Sequence, residues 1–199
     1  MAQSENKNKP LTRIAVFASG SGTNAENLIN YFSRHPSIEV ALVVTNNADA
    51  YVLKRARKKG VPAVVMDKDY RNSQERVMKL FKKYDIGFIV LAGYLLLVPS
   101  WLVGQFPEKI VNIHPALLPR YGGKGMYGEH VHKAVIESGD RESGITIHFV
   151  NEQYDQGDIL FQARCPVFDD DTPQTLAKRI HDLEYQNFPG VIEKLIVQK

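Results

Sequence analysis

The chain has 199 residues, with 44% hydrophobic and 24% charged side chains, the composition of one globular domain with room for a substantial core. A net charge of +3 is too small to point to nucleic acid unless it is clustered in a patch. The longest apolar stretch, Phe88 to Val103, is shorter than a membrane span and is broken by Pro99 and Ser100, which argues against a membrane protein. In chain order, polar Met1–Pro10 lacks the apolar run of a signal peptide and reads as part of a disordered tail, residues 1–12, ahead of one domain over 13–199. Arg13–Ala18 reads as a strand. Asn24–Phe32 has helical spacing, with Ala25, Leu28 and Phe32 on one face, and Ile38–Thr45 is a β-branched strand. Tyr51–Lys59 reads as helix; its cluster Lys54, Arg55, Arg57, Lys58 and Lys59 fits a last turn closed by a left-handed Gly60 better than a nucleic-acid patch. Ala63–Met66 is a short strand, Ser73–Lys83 a helix, and Ile86–Ala92 a strand buried on both faces. Trp101 packs in a short helix after Pro99, and Ile110–His114 is the next strand.

The second half changes character. A loop rich in glycine and proline, Pro115–Gly128, leads to a helix at Glu129–Glu137. Strands at Ile145–Val150 and Ile159–Val167 are separated only by Asn151–Asp158, too short for a helical crossover, so they pair antiparallel. Cys165, the single cysteine, lies in this apolar run and reads as core; with no disulfide possible, a reducing, cytoplasmic setting is expected. The last helix starts at Thr172 as N-cap with Pro173 in the first turn. The alternation of strands and helices predicts a single Rossmann-like α/β domain. Its sheet is mixed but mostly parallel, with helices on both faces.

Two segments carry chemistry. Ser19-Gly20-Ser21-Gly22-Thr23-Asn24 joins the first strand to a helix, and its glycines let backbone N–H groups approach an anion at the helix start. Thr23 and Glu26 also have capping-box spacing, the purely structural alternative. Gly20, Gly22 and Ala25 match a dinucleotide fingerprint, but strand two ends in Thr45-Asn46-Asn47 without the acid that fingerprint needs, so a phosphomonoester fits better. In the second segment, Asn112 and His114 share one face of a strand at its carboxyl end. An amide can donate to a developing oxyanion and an imidazole can move a proton. On spacing alone, a capped strand end with a hydrogen-bonded histidine fits equally well. Asp155, in the turn Gln153–Asp158, gains meaning only if the fold brings it to His114.

These motifs, with Val90-Leu91-Ala92-Gly93-Tyr94, Leu117-Leu118-Pro119 and His148-Phe149-Val150, stand in the order found in the phosphoribosylglycinamide formyltransferase family, which the chain resembles from Arg13 to about Ile196. The resemblance implies formyl transfer from 10-formyltetrahydrofolate to the amine of phosphoribosylglycinamide, without metal. It implies that Gly22, Thr23 and Asn24 hold the substrate phosphate and that Glu184 contacts the substrate. It places the pterin against Leu95, Leu96, Leu97 and Val98, partly through backbone. It assigns the oxyanion to Asn112, proton transfer to His114, and the orientation of that imidazole to Asp155. No nucleic acid and no membrane is implied as partner, and monomer and homodimer stay equally open.

The chain departs from the family at Leu96, where an arginine is frequent, and Arg71 is the nearest match to a folate-contacting arginine. Tyr121–Glu129 is longer than in many members and reads as a glycine-rich flap. His130 and His132 read as surface or flap histidines, His148 as a hydrogen-bonded core histidine near the site, and His35 and His181 carry no signal. A formyltetrahydrofolate hydrolase is the alternative enzyme; about a dozen residues before the first strand leave no space for its regulatory domain. A non-catalytic phosphate- or dinucleotide-binding module is the alternative outside enzymes.

Overall fold

The computed structural model describes residues 10–198. The tail expected over 1–12 therefore lies, for residues 1–9, outside the described residues. The elements are β1 (Thr12–Phe17), α1 (Thr23–Phe32), β2 (Ile38–Thr45), α2 (Val52–Lys58), β3 (Ala63–Val65), α3 (Lys68–Asn72), α4 (Gln74–Tyr84), β4 (Ile86–Leu91), α5 (Ser100–Gln105), β5 (Ile110–His114), α6 (Glu129–Glu137), β6 (Glu142–Phe149), β7 (Ile159–Pro166) and α7 (Pro173–Val197). Among the described residues no helix is long and apolar enough to cross a membrane.

One sheet runs in the order β3-β2-β1-β4-β5-β6-β7. Strands β3 to β5 in that order are parallel, and β6 and β7 pair antiparallel, as the short connection between them required. The chain moves outward from β1 to β2 and then returns to β4 on the other side of β1. That switch leaves a crevice at the carboxyl ends of β1 and β4, where open α/β sheets bind ligands.

Alternation along the strands divides the core into two layers. Ile14 and Val16 of β1 face α1 and α7, packing with Leu28, Leu176, Ile180 and Phe188. Ala15 and Phe17 face the other side with Val77, Phe81 and Phe106. There Phe17 packs edge-on against Phe81 at 6.3 Å and against Tyr94 at 5.2 Å, which ties the segment after β4 to the core. Cys165 is buried in the first layer, as expected.

Two elements were not evident from patterning. Helix α3 has no buried residue and so no apolar stripe; the Asp67 side chain caps it, accepting from Tyr70 N–H at 2.7 Å. Strand β6 begins at Glu142 rather than Ile145, because Glu142, Ser143 and Gly144 continue the ladder opposite Pro166, Cys165 and Arg164. Gly60 takes the left-handed conformation predicted for it, with φ 72°.

Helix α7 starts as its sequence predicts. Thr172 Oγ1 accepts from Thr175 N–H at 3.2 Å and Thr175 Oγ1 accepts from Thr172 N–H at 2.9 Å, with Pro173 in the first turn. Further along, Pro189 has no N–H to offer the carbonyl of Tyr185, four residues back. Asn27 of α1 supplies the missing donor, its Nδ2 reaching Tyr185 O at 3.1 Å. The proline thus converts a helix defect into a joint between α1 and α7. We predict that Asn27→Ala lowers unfolding free energy by about 1 kcal/mol in urea titration, the worth of an ordinary hydrogen bond. An unchanged transition midpoint would show that the joint carries no energy.

Candidate active site

The loop after β1 is shaped by one residue. Gly22 has φ 72° and ψ 27°, and a Cβ there would lie 2.3 Å from Val52 Cγ2, so a side chain is excluded both by conformation and by contact with α2. The loop is braced from behind: Val52 N–H donates to Gly20 O at 3.1 Å, and Arg55 Nε donates to Ser21 O at 2.9 Å while its guanidinium pairs with Glu26. The capping box that the spacing of Thr23 and Glu26 allows, the structural alternative for this loop, does not form. Gly22 is the N-cap, no side chain caps the helix, and Glu26 turns to Arg55 instead. The first intrahelical bond runs from Glu26 N–H to Gly22 O, so the N–H groups ahead of it have no acceptor in the helix and are free for an anion.

Asn112, His114 and Asp155 converge. Asn112 Nδ2 donates to Asp155 Oδ1 at 3.4 Å and lies 3.1 Å from His148 Nε2. His114 Nδ1 faces Asp155 Oδ2 at 3.5 Å, where a protonated ring would pair with the carboxylate. The other nitrogen, His114 Nε2, lies 2.7 Å from Tyr121 O. A carbonyl can only accept, so Nε2 carries the proton and Nδ1 holds the lone pair of the neutral ring. By the same reasoning, His148 Nδ1 donates to Phe149 O at 2.7 Å, leaving its Nε2 to accept from Asn112. Gly123 N–H donates to Asp155 Oδ2 at 2.9 Å, so the flap also closes on this carboxylate.

Burial lowers the pKa of His114, and it outweighs the Asp155 charge and the Tyr121 carbonyl, both of which favour the protonated ring. For Asp155, burial pushes upward, but the contacts with His148, His114 and Gly123 N–H together outweigh it and hold the carboxyl below its ordinary value. The pair at neutral pH is a neutral imidazole beside a carboxylate.

Glu184 is 4% exposed, not an ordinary surface glutamate. Its Oε2 accepts from Asn24 Nδ2 at 2.8 Å and lies 2.8 Å from His181 Nδ1. This joins the helix after the phosphate loop to α7. His132 corrects its sequence reading: it is 3% exposed, since α6 buries Val131, His132 and Val135 on one face, while His130 stays exposed. His181, which carried no signal, lines the cleft and holds Glu184; the His181–Glu184 spacing of three on a helix was the available clue.

Asn112, His114, Asp155, His132, His181 and Glu184 line one cleft of about 700 Å³, along with Gly22, Thr23, Asn24, Tyr94 and Leu95. Of the predicted folate segment, Leu95 lines the cleft and Leu97 is exposed, whereas Leu96 is partly buried and Val98 is buried in the core. The N–H of Leu95 is taken by Ser19 Oγ at 2.9 Å and that of Leu97 by the Tyr154 hydroxyl at 3.1 Å. Arg71 lies in α3 near the hydroxyl of Tyr94; burial raises that phenol's pKa and Arg71 opposes the rise.

A glycine loop at a helix start, an amide, an imidazole and a carboxylate thus meet at one sheet end. The family model for formyl transferase matches residues 12–192, and the chain belongs to that family. Among its relatives is the chloroplastic phosphoribosylglycinamide formyltransferase of Arabidopsis thaliana, 46% identical over 186 residues, which cover 90% of this chain and 64% of the relative. The chloroplastic enzyme of that name from Vigna unguiculata is 42% identical, covering 94% and 62%. The chain thus spans less than two thirds of the length of these plant relatives. The phosphoribosylglycinamide formyltransferase of Haemophilus influenzae is 38% identical, covering 92% and 86%. Among solved structures, glycinamide ribonucleotide transformylase 1 from Symbiobacterium toebii superposes with a TM-score of 0.84 at 35% identity, covering 94% of this chain and 89% of that one.

His132 offers a test of the site's electrostatics. Burial first, and the nearby His181 second, lower its pKa from 6.5 to about 4. Between those values the unfolded chain holds a proton that the folded chain lacks. Stability from this group is therefore full above 6.5 and falls as pH drops toward about 4. His132→Gln is expected to flatten the decline of Tm between pH 7 and pH 5, measured by thermal melts. Parallel wild-type and variant curves would mean that the ring is already protonated in the fold.

Proposed function

We propose that this chain, as one formyltransferase domain over residues 13–199, transfers the formyl group of 10-formyltetrahydrofolate to the amine of N1-(5-phospho-D-ribosyl)glycinamide. The products are the N2-formyl compound and tetrahydrofolate, in purine (IMP) biosynthesis. The convergence of Asn112, His114 and Asp155 beside a glycine loop with free N–H groups is the observation that carries this reading. The cytoplasmic setting belongs to the same proposal, resting on the lone Cys165; the plant relatives are named chloroplastic.

Each residue has a task. Thr23 and Asn24, with Gly22, present backbone N–H groups to the substrate phosphate. Glu184, held by Asn24 and His181, accepts from the substrate on the α7 side. The apolar wall of Tyr94 and Leu95 suits a flat pterin, and the folate, when bound, supplies the carbonyl that is attacked. With both ends of the substrate held, the amine meets the formyl carbon without a free encounter. Negative charge then develops on the formyl oxygen. The Asn112 N–H that now makes the long 3.4 Å bond to Asp155 is the weaker of its two contacts and the one free to turn to that oxygen. The attacking nitrogen must lose a proton. His114 Nδ1 holds the lone pair that takes it, and Asp155 steadies the imidazolium so formed. Because His114 Nε2 is fixed on Tyr121 O, the proton passes at Nδ1; as the oxyanion collapses, the bond between the formyl carbon and the folate nitrogen breaks, and that nitrogen takes the proton from His114 and leaves as tetrahydrofolate.

The decisive assay follows tetrahydrofolate release with and without phosphoribosylglycinamide. Turnover only with the amine supports transfer; release without it supports a formyltetrahydrofolate hydrolase, and silence in both supports a binding module. Asn112→Ala and His114→Ala are each expected to lower kcat about 100- to 1,000-fold while circular dichroism stays native. Near-normal turnover in either variant would remove that residue from the mechanism.

A further inference from the structure

The cleft is short of positive charge for the ligands just proposed. Among its described lining residues, Glu129, Asp155 and Glu184 bring carboxylates, and Lys124 is the sole lysine or arginine. Burial lowers the pKa of both His114 and His132, so neither adds a cation at neutral pH. The phosphate loop carries no cationic side chain, and Arg55 behind it is engaged with Ser21 O and Glu26. A phosphate monoester carries between one and two negative charges near neutral pH. Helix N–H groups offer it only a partial positive charge.

We propose that Lys124, carried on the flap, is the cation that pairs with the substrate's phosphate; this rests on the transferase reading. The flap runs from His114 and Asp155 to the start of α7, along the same cleft that Gly22, Thr23 and Asn24 line. At one end Tyr121 O accepts from His114 and Gly123 N–H donates to Asp155. At the other, Gly128 is the N-cap of α6, and Glu129 accepts from the Gln174 side chain at the start of α7. Lys124 is exposed between Gly123 and Gly125, whose φ values of 100° and 88° lie where side chains are strained. The lysine is thus the one residue with a side chain in the run Gly122–Gly125.

His181 is the competing cation, because Glu184 raises its pKa. The charged and titratable groups around it are Asp182, Glu184 and Tyr185 on α7, His132 and Glu129 on α6, and Lys124 on the flap. Its positive charge is matched at 2.8 Å by the Glu184 carboxylate, so the pair together adds no net charge to the cleft. Among the described residues no carboxylate pairs with Lys124, so its charge is left for the ligand.

The test compares wild type, Lys124→Met, Lys124→Arg and His181→Gln on phosphoribosylglycinamide and on the same amine without its phosphate. Lys124→Met is expected to cut the preference in kcat/KM for the phosphorylated amine about tenfold, the size of one charge-assisted contact, with Lys124→Arg restoring most of it. Ribose 5-phosphate binding, followed by calorimetry, is expected to weaken by a similar factor of about ten in Lys124→Met. The proposal is overturned if that preference and that affinity stay within about twofold of wild type. It is equally overturned if His181→Gln removes the preference and Lys124→Met does not, or if Lys124→Met raises only the KM for the folate. If wild type turns over neither amine, the transferase reading fails separately, and the ribose 5-phosphate titration alone decides the role of Lys124.

Discussion

The carboxylate of Asp155 holds together parts of the chain that are far apart in sequence. It faces the imidazole of His114, accepts from the amide of Asn112, lies 3.6 Å from His148 Nε2 and accepts from the flap at Gly123 N–H. Its backbone is left-handed, φ 55°, a conformation that aspartate tolerates better than most residues. Gly157 just after it leaves no space for a side chain: a Cβ there would sit 1.7 Å from Phe149 O. The turn is therefore pressed onto the end of β6, and the carboxylate is fixed rather than free. Remove its charge and His114 is left buried with the Tyr121 carbonyl and the more distant Glu184 to favour its protonated form.

The glycine-loop side of the cleft depends on a second joint, between α1 and α7. Asn27 satisfies the carbonyl that Pro189 leaves open, and one turn earlier Asn24 reaches Glu184. The helix that starts at the phosphate loop is thereby held to the helix that carries Glu184 and His181. Asn112 and His114 sit at the end of β5, and Asp155 in the turn between β6 and β7, lining the same cleft. On the proposed reading, phosphate binding, substrate orientation and proton transfer share one frame, the arrangement that transfer between two bound molecules requires.

Much of this was legible from the chain because the signals were local. β2, β5 and α6 fall on the predicted residues, since each has a clean apolar period and a clear break at its ends. The antiparallel pairing of β6 and β7 followed from the length of their connection. What was not legible depends on distant partners. Glu26 was available to cap its own helix, but Arg55 from α2 takes it. His132 and His181 look like any surface histidines until α6 and α7 close on the cleft. α3 buries nothing, so no period announces it. The position of Asp155 beside His114 is a property of the folded sheet, and only the family resemblance singled it out beforehand.

The coupling between residues 114 and 155 is open to direct measurement by NMR titration of the His114 ring in wild type and in Asp155→Asn. Burial lowers this pKa and the aspartate opposes it, so loss of the negative charge must let the value fall further below that of wild type. A midpoint that stays put, or moves up, would mean that the carboxylate does not act on the imidazole.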